Sequence, residues 1–204
     1  MILENRLGIT DVVELAREEE KLSKLKAKKL FESDFLQTLK AGSFEALSAI
    51  HHYLFSDIYP FAGEVRKVNI SKGGFRFAPV SYLEVSLKNI EQMPQNSYDE
   101  IIQKYVEMNI AHPFREGNGR SMRIWLDHIL KHELKCVVDW ASVDKDDYLL
   151  AMERSPIKDI EIKYLLKEAL TDKIDDSRVY MKGIDTSYYY EGYMLYKIED
   201  IEDV

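Results

Sequence analysis

His112-Pro113-Phe114-Arg115-Glu116-Gly117-Asn118-Gly119-Arg120-Ser121-Met122-Arg123 joins two helical patterns, and the rest of the chain is read outward from that junction. Before it, Ser97-Tyr98-Asp99-Glu100 has the form of a capping box, and Ile101, Ile102, Tyr105 and Asn109 follow along one helical face. Pro113 ends that helix, because the residue before a proline is pushed toward extended backbone, and that residue is His112. Gly117 and Gly119 permit a tight turn. A second helix follows, with Met122, Trp125, Leu126, Ile129 and Leu130 spaced i, i+3, i+4, i+7, i+8.

The junction carries chemistry as well as a fold signal. The first N–H groups of a helix have no intrahelical partner and carry a partial positive charge. A Gly-Asn-Gly turn at that point lets backbone amides approach an anion closely. Arg120 and Arg123 share a face of the new helix, away from its apolar stripe, so they are expected outside the core. They sit in the first turn or so, where the helix dipole opposes a cation, and an anionic ligand such as phosphate would relieve that. The Glu116 carboxylate suits Mg²⁺, which usually takes one or two protein carboxylates plus phosphate oxygens and water. His112 can accept a proton near neutral pH. Together these residues fit transfer of a phosphate-containing group from a nucleotide to a hydroxyl. Each also has an ordinary structural reading: a helix-terminal histidine, an exposed acid, a routine glycine turn.

The pattern around the junction is mostly helical. Residues 11 to about 29 form one amphipathic stretch; residues 43–55 form another, with Phe44, Leu47, Ile50 and Leu54 on one face. Tyr59-Pro60-Phe61-Ala62-Gly63 breaks it. Residues 65–70 and Phe75-Arg76-Phe77 flank Ser71-Lys72-Gly73-Gly74, which predicts a hairpin. That hairpin is either a connecting flap or a docking edge for an extended peptide. Ser155-Pro156 predicts another helix start, with the helix running to about residue 170. Residues 171–178 are polar and read as a linker before a last segment over 186 to about 201.

Composition narrows the partners. The 36 acidic residues outnumber 28 basic ones for a formal net charge of −8, which argues against duplex DNA or an anionic membrane as the main partner. A single cysteine, Cys136, forbids an intrachain disulfide, and neither a signal peptide nor a spanning apolar run is evident, so a cytoplasmic location is expected. The pairs His51-His52 and His128/His132 lack the further ligands that a zinc site needs. The acidic end, Glu199-Asp200-Ile201-Glu202-Asp203, reads as a solvated terminus.

At this point the sequence resembles the Fic family, whose signature has the form His-x-Phe-x-Asp/Glu-Gly-Asn-Gly-Arg-x-x-Arg. Every fixed position matches between His112 and Arg123, and the segment Leu54-Phe55-Ser56-Asp57-Ile58-Tyr59-Pro60-Phe61-Ala62-Gly63-Glu64-Val65-Arg66 resembles the family's approach to its flap. The resemblance implies a mostly α-helical bundle with one β-hairpin flap, here residues 64–78, beside the active site. It also implies AMP transfer from ATP to a Ser, Thr or Tyr hydroxyl of a protein target, with pyrophosphate leaving. By position, His112 resembles the general base and Glu116 the Mg²⁺ ligand. Gly117, Asn118 and Gly119 resemble the anion-binding turn, Arg120 and Arg123 the arginines for the β- and γ-phosphates, and Phe114 the residue anchoring the loop. Phosphorylating members have Lys where this chain has Gly119, which favours AMP transfer. Phosphoryl or phosphocholine transfer, or a catalytically silent nucleotide-binding module, are the alternatives. Lys72, Phe75 and Phe77 are the flap residues expected to contact a target.

The tail adds a second motif. Ser187-Tyr188-Tyr189-Tyr190-Glu191-Gly192 is similar to the family's inhibitory pattern, Ser/Thr-x-x-x-Glu-Gly/Asn, in its C-terminal arrangement. Residues 1–170 are thus expected to form the catalytic domain, and 171–204 a linker with an inhibitory helix. Ser187 and Glu191, four apart, share a helix face. Glu191 is expected to pair with Arg123 and deny it to the γ-phosphate, with Gly192 small enough to approach the site. Tyr188, Tyr189 and Tyr190 are candidates for self-modification once the helix opens. Oligomeric state is left open, although a subunit interface could reinforce such a helix.

Overall fold

Side-chain caps start most of the helices in the computed structural model, which describes residues 2–72 and 74–202. Gly73 of the expected turn and Asp203 of the acidic end lie outside the described residues. Asp11 accepts from Val13 N and Glu14 N and opens α1, Val12–Glu32. Ser43 caps α2, Phe44–Phe55, by accepting from Ala46 N. The capping box at Ser97 and Glu100 is formed and starts α4, Tyr98–Ala111, after α3, Val80–Gln92. Helix α5 is Asn118–Leu134, α6 Lys145–Arg154, α7 Ile160–Glu168 and α8 Ser177–Tyr190. Such caps are typically worth about 1 kcal/mol each, which is why local sequence sets these boundaries well.

The expected mostly α fold is what forms: eight α-helices and two small sheets among the described residues. Strand β1, Ser71–Lys72, pairs antiparallel with β2, Phe75–Arg76; β3, Val137–Val138, pairs antiparallel with β4, Leu170–Thr171. The second pair was not anticipated. The flap ladder is shorter than its sequence suggested, because Arg66 takes the neighbouring carbonyls. Its Nη1 donates to Val68 O (2.8 Å) and its Nη2 to Ala78 O (2.6 Å).

Helix α5 sits at the centre, packed on α2, α4 and α8. Trp125 is fully buried and donates its Nε1–H to Ser43 O (3.0 Å), tying α5 to the start of α2. The tail belongs to this core. Met181, Ile184, Tyr188 and Tyr190 of α8 are buried, and Met181 and Ile184 alone contribute roughly 1.5–3 kcal/mol each. Detaching α8 therefore costs several times more than breaking one partly exposed ion pair at its end.

Two boundaries differ from expectation. Ser155-Pro156 ends a helix instead of starting one. Ser155 Oγ donates backward to Met152 O (2.8 Å), and the N–H groups of Ile157 and Lys158 both close on Arg154 O. The last helix lies earlier than residues 186–201. Asp176 caps its start by accepting from Arg178 N and Val179 N, and Gly192, at φ +93°, ends it. Gly192 N donates to Tyr189 O (3.0 Å) and Tyr193 N to Tyr188 O (3.1 Å), the paired bonds of a Schellman cap.

Candidate active site

Residues 112–123 wrap one end of a cavity of about 610 Å³, between the flap, the start of α5 and the end of α8. The loop entering it is held from three directions. Phe114 is fully buried and stacks on His51 at 3.9 Å between ring centroids. Asn118 closes the loop on itself, since its Oδ1 accepts from Phe114 N (2.9 Å) and its Nδ2 donates to Phe114 O (2.8 Å). His51 holds the middle: its Nδ1 accepts from Gly63 N (2.8 Å), so its Nε2–H donates to Glu116 O (2.8 Å). The Asn118 side chain is thus committed to loop closure, which leaves its backbone N–H as the group it could offer an anion. Gly117 takes φ +75°, and a Cβ there would collide with the Phe55 ring.

The arginines are not outside the core, contrary to the expectation from the helical face. Arg120 is 1 % exposed and Arg123 2 %. Such burial requires anions, and the protein supplies its own. Arg120 Nη1 pairs with Glu19 of α1 (2.5 Å) and Nη2 with Glu116 (3.1 Å). The Arg120 guanidinium also lies over the rings of Phe55, Tyr188 and Tyr193. Arg123 donates from Nε to Ser187 Oγ (2.6 Å) and from Nη2 to Ser187 O (2.8 Å) and Glu191 Oε1 (3.0 Å).

Glu191 has a second cation. Its Oε2 accepts from Lys72 Nζ of the flap at 2.8 Å. Burial opposes ionisation of this carboxyl, yet the Arg123 and Lys72 charges outweigh it and hold the pKa at about 2. Glu191 also fills the space above Gly119, where an added Cβ would collide with its Oε1 and lie 3.0 Å from Arg123 Nη1. Gly192 does not act through its size, because a Cβ there would meet nothing within 4 Å; its positive φ is what the cap requires. Of the three tail tyrosines, Tyr188 and Tyr190 are buried and only Tyr189 is exposed.

His112 ends α4 in left-handed backbone (φ 49°, ψ 64°), not extended. Its N–H still closes on Met108 O, and Arg66 collects the last carbonyls of the helix end, donating to His112 O (2.8 Å) and Ala111 O (3.1 Å). The imidazole stacks on Phe77 of the flap at 3.6 Å and 14°. Phe75 packs edge-on against Phe77. Nδ1 faces Asn109 O at 3.2 Å, so it carries the proton and Nε2 keeps the lone pair. Burial pushes the His112 pKa down to about 3 and leaves it neutral, the form a base needs.

His51 is likewise pushed down to about 3 by burial, and a proton on its Nδ1 would face the Gly63 N–H. Histidines with depressed folded pKa values contribute stability that is complete above their unfolded value near 6.5 and is lost as pH falls below it. Asp127 has the opposite sign: desolvation raises it to about 7, so its contribution is lost as pH rises through that value. The lowered histidines, His128 among them, outnumber the one raised aspartate, so stability falls as pH drops below about 6.5. Urea midpoints measured at pH 7, 6 and 5 should therefore fall steadily; a flat series would contradict these assignments.

The structure brings His112, Glu116, Gly117, Asn118, Gly119, Arg120, Arg123, Lys72, Phe75, Phe77 and Glu191 to one cavity. Ser187 reaches it only through Arg123; Gly192 and Tyr188–Tyr190 do not line it. Sequence reasoning missed Glu19 and Tyr193, whose hydroxyl donates to Glu19 Oε1 (3.0 Å), and the bond between Lys72 and Glu191. Among the described residues no group of three or more His, Cys, Asp or Glu could hold a metal, and no helix is long and apolar enough to cross a membrane.

The Fic/DOC family model matches residues 42–130. Protein adenylyltransferase VbhT of Bartonella schoenbuchensis is 29 % identical over 194 residues, covering 87 % of this chain but only 39 % of VbhT. A Salmonella typhimurium protein named "Probable protein adenylyltransferase Fic" is 24 % identical, covering 84 % of this chain and 88 % of that protein. The fold is shared with BepC, a VirB-translocated effector of Bartonella tribocorum solved with bound AMPPNP. That match has TM-score 0.71 at 19 % identity, over 84 % of this chain and 93 % of that one. The names of the relatives support AMP transfer at the level of the family. The family-model match over residues 42–130 and the shared helical fold are thus what this chain has in common with Fic/DOC proteins.

Proposed function

We propose that the protein transfers AMP from ATP to a hydroxyl of a protein target and that Glu191 holds this activity down. The observation that carries the reading is the carboxylate of Glu191 against Gly119 and Arg123, the place where an anionic phosphate would otherwise meet the turn and the arginine. In the reaction, His112 Nε2 takes the target hydroxyl's proton as its oxygen bonds to the α-phosphorus. The bond to the β-phosphate oxygen breaks and pyrophosphate leaves. The first amides of α5 face the developing charge, and Arg120 and Arg123 orient the β- and γ-phosphates. A bound triphosphate would raise the His112 pKa as the negative charge of Glu191 already does.

The donor set fits Mg²⁺ in one way. Glu116 lines the cavity half-exposed, and with no three-ligand protein cluster among the described residues the ion would rest on this carboxylate plus phosphate oxygens and water. When bound, Mg²⁺ neutralises phosphate charge. Self-modification of Tyr188 or Tyr190 would require α8 to open, whereas Tyr189 is exposed in place.

The test is Glu191→Gly incubated with cell lysate, Mg²⁺ and ATP labelled at either the α- or the γ-phosphorus. Protein label from the α position alone supports AMP transfer. Label from γ alone indicates phosphoryl transfer, and label from neither indicates a silent module or another donor such as a phosphocholine carrier.

A further inference from the structure

The chain is acidic overall, yet its flap is not. Within residues 64–78 the exposed cations Lys67, Lys72 and Arg76 face a single acid, Glu64. Exposed Arg115 adds another cation at the cavity lining. Strand β1 pairs only with β2 among the described residues, which leaves a free strand edge able to take an extended segment.

Glu191 is gripped by cations from two separate elements, Arg123 of α5 and Lys72 of β1. The two grips differ in access. The Lys72 side chain is 65 % exposed, while that of Arg123 is 3 %. Helix α8 is anchored in the core, so the latch is more cheaply loosened at its exposed cation than by removing the helix.

We propose that the flap accepts an acidic extended segment of the protein target, and that a carboxylate of this segment takes Lys72 from Glu191 and so loosens the hold on Arg123. Docking of the target and admission of the γ-phosphate are then two sides of one coupling, each strengthening the other. The inference rests on the proposed role of Glu191, and the experiment separates the two.

Affinity for a non-hydrolysable ATP analogue with Mg²⁺ is measured by calorimetry for the full chain and for Lys72→Gln, Glu191→Gly and the double variant. The measurement is repeated with two serine-containing octapeptides that differ only in glutamate or glutamine flanks. Lys72→Gln should tighten analogue binding by roughly three- to tenfold, Glu191→Gly by more, and the double variant by no more than Glu191→Gly alone. The glutamate peptide should tighten binding to the unaltered chain but not to Lys72→Gln, and the glutamine peptide should do neither. If Glu191→Gly binds no tighter than the unaltered chain, the role given to Glu191 fails, and the inference with it. If Glu191→Gly binds tighter but Lys72→Gln does not, or if both peptides act alike, the inference alone is overturned.

Discussion

Glu191→Gly is expected to raise AMP transfer by roughly 10²–10³-fold, the ratio that a preference of about 3–4 kcal/mol for the blocked state imposes. Glu191 satisfies the buried Arg123 guanidinium and covers Gly119, so its removal opens both at once. The variant should also show a cost that a simple loss of inhibition would not. Removing one partner of a buried ion pair typically costs about 3–5 kcal/mol. Ser187 still binds Arg123 and the Glu191 side chain is 18 % exposed, so the loss here should be smaller. About 2 kcal/mol is expected, a fall in Tm of roughly 4–8 °C for a chain of this size. ATP should restore much of it, because its γ-phosphate replaces the missing anion. A variant with unchanged transfer rate and unchanged Tm would remove Glu191 from the mechanism.

His112→Ala, made in the Glu191→Gly background where activity is measurable, is expected to lower transfer by roughly 10²–10⁴-fold, the range for loss of a positioned general base. Nucleotide affinity should hold, since no phosphate-facing group is touched. The fold should hold too. The loop is secured by the backbone carbonyls of His112 and Ala111 on Arg66 and by the Asn118 clip, not by the imidazole. The lost contacts are the stack on Phe77 and the Nδ1–H bond to Asn109 O, so the flap should become less ordered. A retained transfer rate with unaltered ATP affinity would show that another group takes the proton.

Much of the fold was legible because it is written locally. The caps at Asp11, Ser43 and Ser97 act within four residues, and the apolar stripe from Met122 to Leu130 is a property of one helix. Ser155 misled for the same reason: its hydroxyl has a choice between the helix before it and the helix after it, and packing decides. The arginines misled more instructively. On helical spacing alone Arg120 and Arg123 belong to a polar face, but that face turns inward because α1 and α8 cover it with carboxylates and aromatic rings.

The sequence by itself determined the reagents: a histidine at a helix end, a carboxylate, a glycine turn, two arginines and, in the tail, Ser187 and Glu191 at helical spacing. Those are short-range patterns, set by backbone periodicity and by which side chains can carry charge. Only the tertiary structure decided the partners. Glu19 meets Arg120 across 101 positions, Glu191 meets Arg123 across 68, and Lys72 meets Glu191 across 119. A buried guanidinium must find an anion, but which of 36 acidic residues supplies it depends on how the helices pack, and periodicity within one helix carries no information about that.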